Sequence, residues 1–132
     1  MKLSIRDRQL VDMMRQGDVL VNTDSTKFNQ HVGSIIVCCS DGDQLTDLLN
    51  HNASMAIESE GQTRPHTIAN HGGAMLLSDG VNLFEEHDVS GLIRTEIAQA
   101  IKMKGIRSVA LMVHTPCGAS SMIDLDVVGT VD

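Results

Sequence analysis

The chain has 132 residues, a formal net charge of −7 at pH 7 and 42% hydrophobic residues, and Phe28 and Phe84 are its only aromatic residues. This length predicts one compact domain spanning residues 1–132 with an aliphatic core, and the apolar content excludes the disordered class. No cluster of basic residues favours nucleic-acid binding, and no apolar run is long enough to span a bilayer.

The first predicted element is a helix from Ser4 to about Gln16. Ser4 can cap its start and Gly17 can end it. Apolar residues recur at helical spacing within it: Ile5, Leu10, Val11 and Met14. The polar residues 22–30 then predict a connection. The opening stretch MKLSIRDRQL carries charges where a signal peptide needs apolar residues, so we expect a cytoplasmic location.

The stretch GSIIVCCSDGD predicts a strand followed by a turn. Ile35, Ile36 and Val37 form a continuous apolar run, which is typical of a strand buried on both faces. Ser40 to Gly42 then signal the turn. The leucines of DQLTDLLNHN recur at helical spacing, so a helix follows and opens an α/β unit.

The middle of the chain predicts shorter elements. SMAIES predicts a short strand, and HTIANHGGAMLL predicts one or two strands interrupted by Gly72 and Gly73. Val89 to Lys104 predicts the clearest helix, with Asp88 or Ser90 as its cap and Gly105 after its end. Five apolar residues are expected to line one side of this helix: Leu92, Ile93, Ile97, Ala98 and Ile101.

The last elements complete the expected fold. IRSVALMV predicts a second buried strand that runs straight into His114, and ASSMIDLDVV predicts a short closing helix. We therefore expect an α/β fold, in which helices flank a mostly parallel central sheet.

Each of the two predicted buried strands ends at candidate metal ligands. Cys39 ends the first, and His114 and Cys117 follow the second. In open α/β sheets, sites form beyond the carboxyl ends of the strands, so these side chains converge if the strands are neighbours. Two thiolates and one imidazole make a zinc set with a fourth position for water, although buried core cysteines remain the alternative. Asp41 points to the same side as Cys39, whereas Cys38 points to the opposite face and is expected to pack in the core.

These motifs resemble those of the β-class carbonic anhydrases. That family has C-x-D-x-R at the end of its first sheet strand and H-x-x-C-G after a later strand. Here CSDGD begins at Cys39 and HTPCGA begins at His114, and LIRTEIAQAIKMKGIRSVALMVHTPCGA is similar to the family's helix, strand and ligand loop. IANHGGAML lies where the family has an R-N-A-G-N loop, with Asn70 and Gly72 matching. The resemblance covers roughly Ser34 to Ser121.

The resemblance implies a Zn²⁺ enzyme that interconverts carbon dioxide and bicarbonate through zinc-bound hydroxide. It implies that Cys39, His114 and Cys117 bind zinc. It also implies that Asp41 is catalytic, contacting the zinc-bound water in an open form and replacing it as fourth ligand in a closed form. A homodimer or higher homo-oligomer is expected, with the helix at about 4–16 packed on a partner subunit.

The sequence departs from the family pattern near the site. Asp43 replaces the arginine that holds the aspartate away from zinc, and Ala69 replaces the loop arginine. One alternative is therefore a non-catalytic zinc-binding module whose site Asp41 closes. His71, which the family motif lacks, is a candidate catalytic residue that shuttles a proton or binds an anion. The altered loop also leaves open a related hydrolase of carbonyl sulfide or carbon disulfide. Three arginines are candidates to replace the missing partner of the aspartate: Arg64, Arg94 and Arg107.

Overall fold

The computed structural model of the chain describes residues 4–20, 33–58, 60, 64–81, 83–84 and 86–124. Within these ranges, helices flank a sheet of three parallel strands in the order β2-β1-β3, which confirms the predicted α/β class. The elements in chain order are α1 (Ile5–Gln16), β1 (Ser34–Cys39), α2 (Gly42–Glu58), β2 (Pro65–Asn70), a 3₁₀ helix (Gly73–Leu77), α3 (Val89–Lys104), β3 (Val109–Leu111) and α4 (Gly118–Ser121).

Strand β1 is the centre of the sheet and of the core. Every residue of this strand is buried, as its continuous apolar run predicts. Cys39 pairs with Asn70 of β2, and Val37 pairs with Leu111 of β3. The two strands that carry the predicted ligands are therefore neighbours. The largest core cluster consists of Ile35, Val37, Ile68, Leu76, Ile93, Ala100 and Ile106.

Helix α2 is longer than predicted, and the strand predicted at SMAIES is wrong. Residues 54–58 form the end of the helix, which reaches Glu58. No glycine or proline interrupts the helix after its start, and Asn52 and Ala56 are both buried. The buried Ser34 hydroxyl donates a hydrogen bond of 2.8 Å to the Asn52 side chain, which ties the helix to β1.

The glycine pair ends β2 as predicted, but no second strand follows it. Gly73 begins the 3₁₀ helix, which places Met75 and Leu76 in the core. Strand β3 also differs from its prediction, because it is a short edge strand that is only partly buried. Among the described residues it pairs with β1 alone, and Leu111 is 57% exposed.

The ends of α3 match the prediction. The Asp88 carboxylate accepts a hydrogen bond of 2.8 Å from the Gly91 amide, so Asp88 is the cap, and Ser90 lies inside the helix. Gly105 ends the helix in the left-handed conformation. The predicted apolar side is confirmed only in part. Ile93 is buried and Ile97 half-buried, whereas three of the five residues are exposed: Leu92, Ala98 and Ile101.

Helix α1 is capped by Ser4, as predicted. The Ser4 hydroxyl accepts from the Asp7 amide and the Asp7 carboxylate accepts from the Ser4 amide, both at 3.1 Å. Met14 is buried, whereas Ile5 and Met13 are exposed. The predicted connection at 22–30 lies outside the described residues. The predicted closing helix is shorter than expected in its described part, because α4 ends at Ser121 and residues 122–124 form a turn, while the rest of the predicted helix lies outside the described residues. None of the described helices combines the length and apolarity needed to cross a membrane.

Candidate metal centre

The carboxyl edge of the sheet brings the three predicted ligands together. Cys39 is the last residue of β1, His114 follows β3, and Cys117 immediately precedes α4. One ligand atom from each residue lies within 4.8 Å of the other two. A cis peptide bond between Thr115 and Pro116 lies in the loop that joins the last two ligands. These three residues could hold a metal ion, which agrees with the convergence predicted from the strand ends.

The imidazole of His114 lacks the partners that a buried ring needs. Both ring nitrogens are buried, and neither has a hydrogen-bond partner among the described residues. The Nε2 atom lies 4.0 Å from Oδ2 of Asp41, which is too long for a hydrogen bond. Buried polar atoms are normally satisfied, so this ring fits a site in which one nitrogen binds a metal.

The two thiols lie in surroundings that suit a cation. The Cys39 sulfur accepts a hydrogen bond of 3.4 Å from the Gly72 amide. Burial raises the pKa of the Cys117 thiol, hydrogen bonds from the main chain of Ser120 and Ala119 oppose this rise, and the neighbouring Cys39 adds to it. Two adjacent thiolates repel each other, and a divalent cation between them removes that repulsion. The donor set therefore fits a metal ion that prefers sulfur and nitrogen.

Asp41 lies beside this set and not within it. Its Oδ1 accepts a hydrogen bond of 2.9 Å from the Asp43 amide, and its main-chain oxygen accepts from the Leu45 amide at 3.2 Å. Asp41 is thus the N-cap of α2, while its Oδ2 faces His114. Asp43 lies in the first helical turn, where an acidic side chain is favoured by the partial positive charge of the helix N-terminus.

The three arginines considered as partners of the Asp41 carboxylate lie elsewhere in the fold. Arg94 donates hydrogen bonds to the Leu77 carbonyl at 3.2 Å and to the Ser90 hydroxyl at 3.4 Å. Arg64 immediately precedes β2 and Arg107 precedes β3, so both lie toward the amino ends of these parallel strands. Asp41 follows the carboxyl end of β1, at the opposite edge of the sheet.

His71 lies at a cleft of about 550 Å³ next to the candidate metal centre. Its side chain is exposed, and its Nδ1 lies 3.1 Å from the Ser40 hydroxyl. The sequence analysis did not predict the contact between Ser40 and His71. The parallel pairing of Cys39 with Asn70 explains it, because Ser40 and His71 are the residues that follow this pair. This cleft is lined by Cys39, Ser40, Asp41, His71, Leu83, Phe84, Gly118, Ala119 and Met122.

Cys38 lines a different cavity, as its opposite orientation predicts. This smaller cavity, of about 240 Å³, is also lined by Leu45 and Leu48 of α2 and by Met112 beyond β3. Burial, and secondarily the neighbouring Cys39, raises the pKa of the Cys38 thiol. The thiol therefore stays protonated and packs as a small apolar group, in agreement with the core role predicted for it.

Comparison with known proteins gives no relative for this chain. No family model matches it, and neither a curated protein nor a solved structure matches it.

Proposed function

We propose that this chain is a zinc protein of the β-carbonic anhydrase type that catalyses the reversible hydration of carbon dioxide to bicarbonate. The observation that carries the proposal is the convergence of Cys39, His114 and Cys117 within 4.8 Å, around an imidazole whose nitrogens have no partner among the described residues. Two sulfurs and one nitrogen form a donor set that zinc accepts. The order and spacing of the CSDGD and HTPCGA motifs support the same activity.

The arrangement of side chains suits this reaction. Zinc held by three protein ligands keeps a fourth position for water and lowers the pKa of that water to about 7, which supplies a nucleophile near neutral pH. Asp41 has a carboxylate next to His114 and would accept a hydrogen bond from a group in the fourth position. Leu83, Phe84 and Met122 give the adjacent cleft an apolar wall, which suits an uncharged linear substrate.

His71 is suited to carry protons between the cleft and solvent. The reaction releases a proton in each hydration cycle, and an imidazole can accept a proton at one ring nitrogen and donate one from the other. The Ser40 hydroxyl holds Nδ1 at 3.1 Å, which fixes the ring at the cleft while its side chain stays exposed. An imidazole at this position also suits the binding of the bicarbonate anion.

A second copy of the chain is the proposed macromolecular partner. Ile5 and Met13 of α1 are 77% and 66% exposed, and Leu111 and Val113 at the sheet edge are 57% and 40% exposed. Burial of such side chains against a partner subunit would stabilise a dimer. A cytoplasmic location agrees with three free thiols.

The dimer is expected to depend on the apolar residues of α1. Sedimentation of the purified protein should give twice the chain mass of 14.3 kDa. Ile5→Lys combined with Met13→Lys should shift the protein toward the monomer, because it places two charges in the interface. Gln9→Lys changes an exposed polar residue of the same helix and should leave the dimer intact. A wild-type monomer at all concentrations would contradict this part of the proposal.

Stopped-flow measurement of carbon dioxide hydration tests the proposed activity. Zinc-loaded wild-type protein should accelerate hydration far above the buffer rate, and Cys117→Ala should reduce the rate to background because it weakens zinc binding and leaves the ligand set incomplete. Bound zinc without hydration from neutral to alkaline pH would contradict the activity and favour a non-catalytic zinc module. Turnover of carbonyl sulfide or carbon disulfide in place of carbon dioxide would indicate the related hydrolase.

A further inference from the structure

We propose that the main-chain amide of Asp43, in place of an arginine side chain, holds Asp41 off the metal position. The start of α2 would then keep the fourth coordination position open to an external ligand. This inference rests on the proposed metal centre and names the group that regulates access to it.

The contacts of Asp41 place its two carboxylate oxygens in different surroundings. Oδ1 accepts a hydrogen bond of 2.9 Å from the Asp43 amide, while Oδ2 lies 4.0 Å from Nε2 of His114. The carboxylate lies outside the group of ligand atoms that are within 4.8 Å of one another. Asp41 is therefore next to the proposed metal position but bonded to the helix.

Two electrostatic attractions compete for this carboxylate. A divalent cation held by Cys39, His114 and Cys117 would attract it strongly in a partly buried site. The amide at the start of α2 also attracts it, because the N-terminal end of a helix carries a partial positive charge. The Asp43 side chain is itself acidic and cannot form an ion pair with Asp41, so its amide is the group that retains the carboxylate.

The amide can act as a fixed anchor because α2 is held firmly against the sheet. The helix has 17 residues, its Asn52 accepts a hydrogen bond of 2.8 Å from the buried Ser34 hydroxyl, and Ala56 is fully buried. An arginine side chain can rotate away from its partner. The Asp43 amide keeps its position relative to β1 as long as the first turn of the helix is intact.

Comparison of Asp43→Pro with Asp43→Ala separates the effect of the Asp43 N–H from the effect of its side chain. Both variants remove the acidic side chain, but only proline removes the N–H, and proline is tolerated in the first turn of a helix. We would load each protein with cobalt and titrate it with azide, following the visible absorption of the metal. Asp43→Ala should bind azide like wild type. Asp43→Pro should bind it at least ~10-fold more weakly, since 1.4 kcal/mol is a tenfold change in an equilibrium constant and the freed Asp41 competes for the metal. Adding Asp41→Ala to Asp43→Pro should restore azide binding.

Hydrogen exchange gives a second readout that does not require the proline variant to fold. In the zinc-loaded wild-type protein, the Asp43 amide should exchange at least ~10-fold more slowly than in Asp41→Ala, since it is bonded to the carboxylate. Equal exchange rates in these two proteins, or equal azide affinities in the proline and alanine variants, would overturn the inference alone. Failure of the wild-type protein to bind cobalt would instead contradict the proposed metal centre and this inference with it.

Discussion

Replacing Cys117 with alanine is expected to weaken zinc binding by about a thousandfold. Zinc bound in four-ligand structural sites is held by about 10–16 kcal/mol, so the loss of one thiolate removes on the order of 4 kcal/mol. Cys117 is 3% exposed and has Cys39 and His114 within ligand distance. No other described histidine, cysteine or acidic residue belongs to this group, and the neighbouring Asp41 carboxylate is bonded to the Asp43 amide, so the lost thiolate is not readily replaced. Competition with a chromogenic chelator measures the affinity of each protein for zinc.

Cys38→Ala is the matched control for this experiment. Cys38 is as buried as Cys117 and adjacent to Cys39, but it lines the smaller cavity and is not part of the ligand group. We expect its zinc affinity to stay within about threefold of wild type, with a loss of about 1 kcal/mol in folding stability from the missing sulfur. Equal losses of zinc affinity in both variants would contradict the assignment of the ligands.

Replacing Gly73 with alanine is expected to destabilise the fold by about 3 kcal/mol or more. Gly73 has a φ of +57°, which L residues rarely adopt, and a Cβ added there would collide with the Cys39 amide nitrogen and lie 2.6 Å from the Cys38 carbonyl carbon. Both neighbours are main-chain atoms of the central strand, so they cannot move aside as a side chain would. Backbone strain and overpacking therefore add, each costing about 1–3 kcal/mol.

Gly80→Ala separates these two contributions. Gly80 has a φ of +86°, but a Cβ added there meets no atom within 4 Å. This variant should lose only about 1 kcal/mol, which is the cost of the backbone conformation alone. Urea denaturation of both variants gives the comparison. Similar losses for the two would show that the close approach of Gly73 to β1 does not constrain the fold.

The sequence predicts most of the fold where local signals and burial agree. The apolar run Ile35 to Val37 predicts the central strand, and Ser4, Asp88 and Gly105 predict the helix ends at which they lie. The convergence of Cys39 with His114 follows from the expectation that parallel strands end at one edge of the sheet. These features depend on residues close in sequence or on one general rule of topology.

Other features depend on tertiary contacts that the sequence does not display. SMAIES is too short for its apolar residues to distinguish a strand from a helix, and burial of Ala56 and the bond from Ser34 to Asn52 hold residues 54–58 in the helix. Apolar residues alone do not distinguish an edge strand from a central one, so the length and burial of β3 were overestimated. The contact between Ser40 and His71 requires the register of two strands that are distant in sequence.

The bond from the Asp43 amide to Asp41 shows a further limit of side-chain motifs. Comparison of the motifs finds Asp43 at the position of the family's arginine, which suggests that Asp41 has no hydrogen-bond partner. The structure gives that partner as a main-chain group, which every residue except proline provides. Such a group is visible only once the start of the helix is placed relative to the carboxylate.

X-ray absorption at the zinc edge of the loaded wild-type protein is the decisive test of the proposed metal centre, because it identifies the atoms bound to the metal. We expect two sulfur atoms at about 2.3 Å, with the remaining ligands of the metal being nitrogen or oxygen at about 2.0–2.2 Å. The two sulfurs would be those of Cys39 and Cys117. A shell of nitrogen and oxygen without sulfur would contradict the proposed metal centre.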